Sequence, residues 1–366
     1  MRSIFLCLIG CLLPAGYAAA QHLRPGFDKA EYIELLKVCA RHGSADYVKN
    51  IPEPEHSVMV YRSPVVGLEN RWDLWIRDDK VAILSIRGTT ASQVSWLANF
   101  YAAMVPAKGT LQLSRAERFA YNLADDPKAA VHVGWLFSTA YLSRDILPRL
   151  DSVYRSGIRD VVIIGHSQGG AIAYLLTAHL YRLQQQGLLP PDIRFKTYCS
   201  ASPKPGNLYF AYDYERMTRG GWAYNVVNTA DWVPETPVSI QTTSDYNRTN
   251  LFAIAPDLIR KLKFPMNWIG KYAYGRLNNP VKRIQRRYER YLGRMAARQV
   301  KKHFPDYVPP AYYPSSDYVR TGNTIVLYAD PAYYKLYPDS KNNIFIHHFF
   351  EPYIYLARQL PDRFIP

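Results

Sequence analysis

The chain has 366 residues, 48% of them apolar and 20% charged, with 45 Lys and Arg against 30 Asp and Glu. That apolar content over that length is ample for a core and excludes a disordered polar chain, while a net charge of +15 points to a polyanionic surface, nucleic acid or anionic lipid, among the partners. No Cys/His spacing suggests a metal site, and no repeat or low-complexity linker divides the chain, so no metal or cofactor is expected.

In chain order, MRSIFLCLIGCLLPAGYAAAQ places one arginine before an apolar run from Ile4 to Leu13, then a Pro/Gly break and small residues at Ala18 and Ala20. This predicts a secretory signal peptide over residues 1–20 and an exported protein, periplasmic or extracellular. Leu8-Ile9-Gly10-Cys11 also reads as a lipoprotein box that would acylate Cys11, but only ten residues precede that cysteine. A membrane-spanning anchor is excluded because the apolar run is well short of roughly twenty residues. Removing the signal takes Arg2 and no acid, which leaves +14, and it leaves Cys39 and Cys199, either as one disulfide or as two buried thiols.

Beyond the signal, EYIELLKVCARHG (31–43) has helical periodicity, and MVYRS (59–63), WDLWI (72–76) and VAILSI (81–86) read as strands. A helix from Trp135 to Tyr154 leads through Ser156-Gly157 into a strand at Val161–Ile164. Further strands are predicted at FKTYCS (195–200), AYNVVN (223–228) and TIVLYA (324–329). Short aliphatic runs alternating with helices predict the α/β class over residues 21–366: one domain with a mostly parallel central sheet and helices on both faces. From about 238 to 320 the rhythm stops. This stretch reads as an inserted helical segment with a helical piece at Asp257–Leu262 and apolar positions at Val281, Ile284, Tyr288, Tyr291, Leu292 and Met295. Between Arg260 and Lys302 it holds fourteen Lys and Arg against one acid, Glu289.

The chemistry centres on VVIIGHSQGGA (161–171). Gly165-His166-Ser167-Gln168-Gly169 fits G-x-S-x-G, with a strand before it and the helix AIAYLLTAHLYRLQQQG after it. A serine on so tight a strand-to-helix turn needs small residues two before and two after it, and the turn lifts its hydroxyl to the sheet edge beside a helix N-terminus that supplies N–H donors for an oxyanion. A serine hydroxyl needs a general base and an orienting carboxylate, expected later in the order acid, then histidine. Asp231, on the loop after AYNVVN, fits the acid or is a surface loop aspartate; Asp192 precedes a strand and Asp213 lies in a helix-like run, so both fit less well. His179 points away on the following helix and His303 ends the basic run, which leaves His347 or His348 in NIFIHHFFEPYIYLARQL.

At this point the sequence resembles the class 3 lipases, the fungal-type triacylglycerol lipase family of the α/β-hydrolase superfamily. LSIRGTTASQVSWLANF (84–100), VHVGWL (131–136), GHSQGG (165–170), TYCSASPKPGNLYFA (197–211) and VVNTADWVPETP (226–237) follow one another as that family's landmarks do. The resemblance implies a serine ester hydrolase with a Ser167, Asp231, His348 triad, since His348 and Tyr353 match the family's spacing from histidine to tyrosine and His347 is the alternative base. It also implies an oxyanion hole at Thr89 and Gln168. The landmarks run from Val58 to Ile240 and then the C-terminal helix. The sequence departs from the pattern at Ala201, in place of a glycine; one residue is missing before Gly206. TTA stands where a serine is common, with Ser92 nearby, and Asp231 and His348 are about twice as far apart in sequence as a compact member needs.

The expected function is cleavage of carboxylic ester bonds of lipids through an acyl-enzyme. The alternatives are a phospholipase, a general carboxylesterase, or a catalytically silent protein that binds an envelope surface or a polyanion on the same fold. The basic segment is expected to meet an anionic membrane, to cap the acyl pocket, or simply to present a solvated cationic face; nucleic acid is a poor partner for an exported protein. Residues 99–130, with a short helix SRAERFAYNLA (114–124), are a second candidate cover.

Overall fold

Seven strands form the central sheet in the order of the sequence. The computed structural model describes residues 22–44 and 48–361, so the expected signal peptide and Cys11 lie outside the described residues. Helix α1 (Lys29–Ala40) precedes β1 (Ser57–Arg62), β2 (Trp72–Arg77) and β3 (Val81–Ile86), then come α2 (Gln93–Phe100), α3 (Val133–Arg155), β4 (Asp160–His166), α4 (Gln168–Gln185), β5 (Arg194–Ser200), α5 (Leu208–Met217) and β6 (Ala223–Asn228). Helices α6 (Leu251–Lys261), α7 (Met266–Glu289) and α8 (Ala296–His303) follow, and then β7 (Asn323–Leu327), α9 (Pro331–Leu336) and α10 (Phe350–Arg358). Strands β1, β2 and β3 pair antiparallel, and β3 to β7 are parallel neighbours.

The inner strands read as aliphatic runs because both faces are covered. Ala82, Leu84, Val161 and Ile163 pack under α3 and α4, whereas the alternate residues Val81, Ile83, Val162 and Ile164 pack against α1 and α10. This is the α/β-hydrolase layering expected from the sequence. Helix α1 is tied to the sheet by buried charge: Lys196 Nζ lies 2.6 Å and Arg77 Nη1 2.7 Å from the Glu31 carboxylate, which also accepts from the Tyr198 hydroxyl at 2.6 Å.

Two expectations are corrected. SRAERFAYNLA is not helical: Arg118–Asn122 pairs antiparallel with Lys108–Gln112 around a turn at Ser114–Glu117. Tyr121 is buried and its neighbours Ala120 and Asn122 are not, an alternation of two that fits a strand better than a helix. The helix expected over 31–43 ends at Ala40, where Arg41 caps it. Cys39 and Cys199 are buried free thiols, and burial pushes the Cys39 thiol up to about 12.

The segment from 238 to 320 changes character along its length. No residue of α6 is buried, and in α7 only Gln285 is. Helix α7 then passes through a π-helical turn, Arg290–Met295, into α8, whose Ala296, Ala297 and Val300 join the main core. At the turn, Gly293 allows the close approach: a Cβ there would sit 2.9 Å from the Ala103 Cβ, and the Ala103 N–H donates to the Leu292 carbonyl at 3.0 Å. Among the described residues no helix is long and apolar enough to cross a membrane.

Candidate active site

Strand β4 ends at His166 and α4 begins at Gln168, so Ser167 alone makes the turn, with φ 61° and ψ −131°. A non-glycine residue in this region of φ is under strain, and strain of that kind persists only when the surroundings enforce it. The glycines supply the room. A Cβ on Gly165 would meet the backbone carbon of Gly169 at 2.1 Å, and a Cβ on Gly169 would meet the Ile86 carbonyl oxygen at 2.2 Å. The G-x-S-x-G spacing is therefore the condition for α4 to pass over the ends of β3 and β4. A similar bend follows β5, where Ala201 takes φ 49° at the place where the resembling family carries glycine.

The loop after β6 carries Asp231, and the approach to α10 carries His348. They are 117 residues apart in sequence, and His348 Nδ1 lies 2.7 Å from Asp231 Oδ2. The same carboxylate oxygen accepts from the Tyr353 hydroxyl at 2.8 Å, and Oδ1 accepts from the Val233 N–H at 3.0 Å. With Nδ1–H donating to the carboxylate, Nε2 is the basic nitrogen of His348. His166, next to Ser167, holds this region to the elbow: its Nε2 lies 2.7 Å from the His348 carbonyl oxygen and its Nδ1 3.0 Å from Ser200 Oγ. A carbonyl only accepts, so Nε2 carries the hydrogen and Nδ1 accepts from Ser200, whose oxygen in turn accepts from Tyr32 at 2.7 Å. Burial, with His348 close by, drives the His166 pKa well down and keeps the ring neutral.

His347 is turned elsewhere. Its Nδ1 faces the Tyr333 hydroxyl at 2.8 Å and its Nε2 faces Asp339 at 3.0 Å, while its carbonyl accepts from Asn228. The structure therefore brings His348 and not His347 to Asp231. The other candidates of the sequence sit apart: Asp192 pairs with Arg159, Asp213 with Arg216, and His179 is buried against Phe119.

On the other side of Ser167, the loop after β3 carries Thr89. Its hydroxyl donates to Gln168 Oε1 at 3.0 Å and accepts from Asn99 Nδ2 at 3.0 Å, and Asn99 Oδ1 accepts from the Trp135 indole at 3.0 Å. Glu69 grips the same loop by accepting from Thr90 Oγ1 at 3.0 Å and Ser92 Oγ at 2.7 Å, and Ser92 also caps α2. With the Thr89 hydroxyl fully engaged, its backbone N–H and that of Gln168, in the first turn of α4, are the donors available to an oxyanion. Glu69, Asn99 and the His166 bridge were not singled out from the sequence; Glu69 and His166 act on partners at least 21 residues away, Asn99 acts on Thr89 ten residues before it, and no local pattern reports these pairings.

Thr89, Ser167 and Gln168 open into a cavity of about 230 Å³ walled mainly by apolar and aromatic groups, among them Trp96, Phe100, Trp232, Val233 and Phe345. Tyr288 and Leu292, from the inner end of α7 and its π turn, complete one wall. The segment between Asp231 and His348 thus contributes directly to the cavity.

A mostly parallel sheet with a strained serine between strand and helix, and an Asp/His pair from later loops, defines an α/β-hydrolase. More narrowly, residues 83–240 match the family described as Lipase (class 3). No curated protein matches the sequence. Among solved structures, the chain is similar to a Rhizomucor miehei lipase in complex with its propeptide, with 21% identity and a TM-score of 0.40 over 58% of this chain and 65% of that one. It thus spans just under two thirds of that structure. It is also similar to a lipase from Yarrowia lipolytica, with 19% identity, 58% and 76% coverage and a TM-score of 0.42, and to one from Rhizopus microsporus var. chinensis, with 20%, 57% and 69%, and 0.39.

Proposed function

We propose that the chain is an exported serine hydrolase that cleaves carboxylic ester bonds of lipids, with residues 1–20 as its signal. Ser167 Oγ attacks the acyl carbonyl carbon while His348 Nε2 takes its proton. Asp231 holds the imidazole in the tautomer that permits this and stabilises the imidazolium. The oxyanion is received by the N–H groups of Thr89 and Gln168, an arrangement in which loss of one donor typically costs about 10² to 10³ in rate. The intermediate collapses, the C–O bond to the alcohol breaks, and the departing oxygen takes the proton from His348. A water molecule, deprotonated by the same nitrogen, then releases the acid from Ser167.

The observation that carries this reading is the 2.7 Å contact between Asp231 and His348, with His348 joined through its carbonyl to the residue before Ser167. The apolar cavity beside Ser167 suits an acyl chain, and the basic segment suits contact with an anionic lipid surface. The test is hydrolysis of p-nitrophenyl esters of short and long chain length, triglyceride emulsions and phospholipid vesicles, which also separates lipase, phospholipase and carboxylesterase. Ser167→Ala should abolish turnover and leave the circular dichroism spectrum unchanged. A wild-type chain that neither hydrolyses these esters nor reacts with a fluorophosphonate would instead be a silent binding protein on this fold.

A further inference from the structure

Helices α6 and α7 form a hairpin that the core does not hold. Around its tip, Leu262, Phe264, Met266, Trp268, Ile269 and Tyr272 are all exposed, Phe264 by 83% and Trp268 by 65%. Lys261, Lys263, Lys271 and Arg276 stand between and beside them. The acids of these two helices are each engaged, Asp257 with Arg260 and Glu289 with Arg294. Six exposed apolar side chains gathered at one tip mark a binding surface rather than a solvated one. Its chemistry selects the occupant. A polynucleotide would use the positive charge but offers nothing to Leu262, Met266 or Ile269. A bilayer with anionic head groups uses both, since aliphatic and aromatic groups enter the boundary between head group and acyl chain while lysine and arginine stems reach out to phosphate.

We propose that the α6–α7 hairpin docks the protein on an anionic bilayer, lying in the interface with the tip residues Phe264 and Trp268 inserted. The geometry then links docking to the cavity. The helix of the tip continues through the π turn to His303, and its Tyr288 and Leu292 wall the Ser167 cavity. Trp268 and Tyr288 are separated by about 30 Å of helix, so docking at the tip holds the cavity within about that distance of the membrane surface. The lipid delivered to Ser167 is then one resident in a charged bilayer rather than in a neutral oil droplet. This last step rests on the proposed reading of Ser167 as the nucleophile, whereas docking itself does not.

The test uses the full chain carrying Ser167→Ala, sedimented with vesicles of phosphatidylcholine alone or mixed with phosphatidylglycerol. The mixed vesicles should hold the protein at least about tenfold more strongly, and added salt should weaken this. Phe264→Glu with Trp268→Glu, and separately Lys261→Gln, Lys263→Gln, Lys271→Gln and Arg276→Gln together, should each lower binding about tenfold or more with the melting temperature unchanged. Equal affinity for both vesicles, no affinity for either, or variants that bind like the parent would overturn the proposal. So would tighter retention on duplex DNA, or a dimer that Trp268→Glu dissociates. Turnover is measured separately on the wild type. A chain that docks but hydrolyses no ester removes the catalytic reading and leaves docking in place, and a chain that hydrolyses without docking does the reverse.

Discussion

At the sheet edge, a single added methyl group on Gly169 would land 2.2 Å from a backbone carbonyl; at the hairpin tip, Phe264 is 83% exposed. The helix that leads from the tip walls the cavity at the sheet edge with Tyr288 and Leu292, yet one region is fixed by every neighbour it has and the other by almost none. The first suits the chemistry proposed for it, in which donors and base must be in place before the substrate arrives. The second is free to meet something outside the protein.

Substitutions that sort the two histidines should give the largest effect. His348→Ala should lower ester turnover by about 10⁴-fold or more, whereas His347→Ala, bonded to Tyr333 and Asp339, should cost less than about tenfold. Equal losses in steady-state kinetics would dissolve the distinction drawn between them. Gly169→Ala should come next: with backbone atoms of Ile86 in the way, urea unfolding should show a loss of several kcal/mol, of order 3 or more, or no soluble protein.

A pH effect of intermediate size belongs to the packed region. Burial lowers the pKa of His42 and His179 to about 4 and of His132 to about 3. The unfolded chain takes up protons near pH 6.5 while the folded chain does not, so stability should fall as pH drops from about 6.5 towards 4. Urea midpoints that are flat across this interval would contradict it. The smallest effect is expected in the hairpin. Gly275→Ala, with only the Asn279 side chain near its new methyl group at 3.6 Å, should be neutral or stabilise by up to about 1 kcal/mol through helix propensity, read as a rise in melting temperature.

Much of the sheet was legible because its signal is local. VAILSI and AYNVVN became strands with the expected ends, and the elbow could be read from five residues, since glycine spacing records a steric demand directly. Residues 114–124 misled because Arg118 to Asn122 is short enough to suit either period, and pairing with Lys108–Gln112 decided it. Asp231 and His348 carry no mutual signal across 117 residues; a resemblance to a family, not spacing, singled out His348 from its neighbour. The supports of the site were invisible because no sequence pattern reports which side chains pair. Glu69 reaches Thr90 and Ser92, Asn99 reaches Thr89, and His166 reaches a backbone carbonyl 182 residues away. Composition reports charge but not which apolar side chains remain uncovered, so it leaves the role of the basic segment open.

The backbone angle at position 167 has a further consequence. A φ of 61° is one that glycine adopts freely and serine does not. Ser167→Gly should therefore raise the melting temperature while removing the hydroxyl. A screen for thermostability alone would favour that substitution, so heat resistance and turnover should be selected together in any effort to engineer this chain.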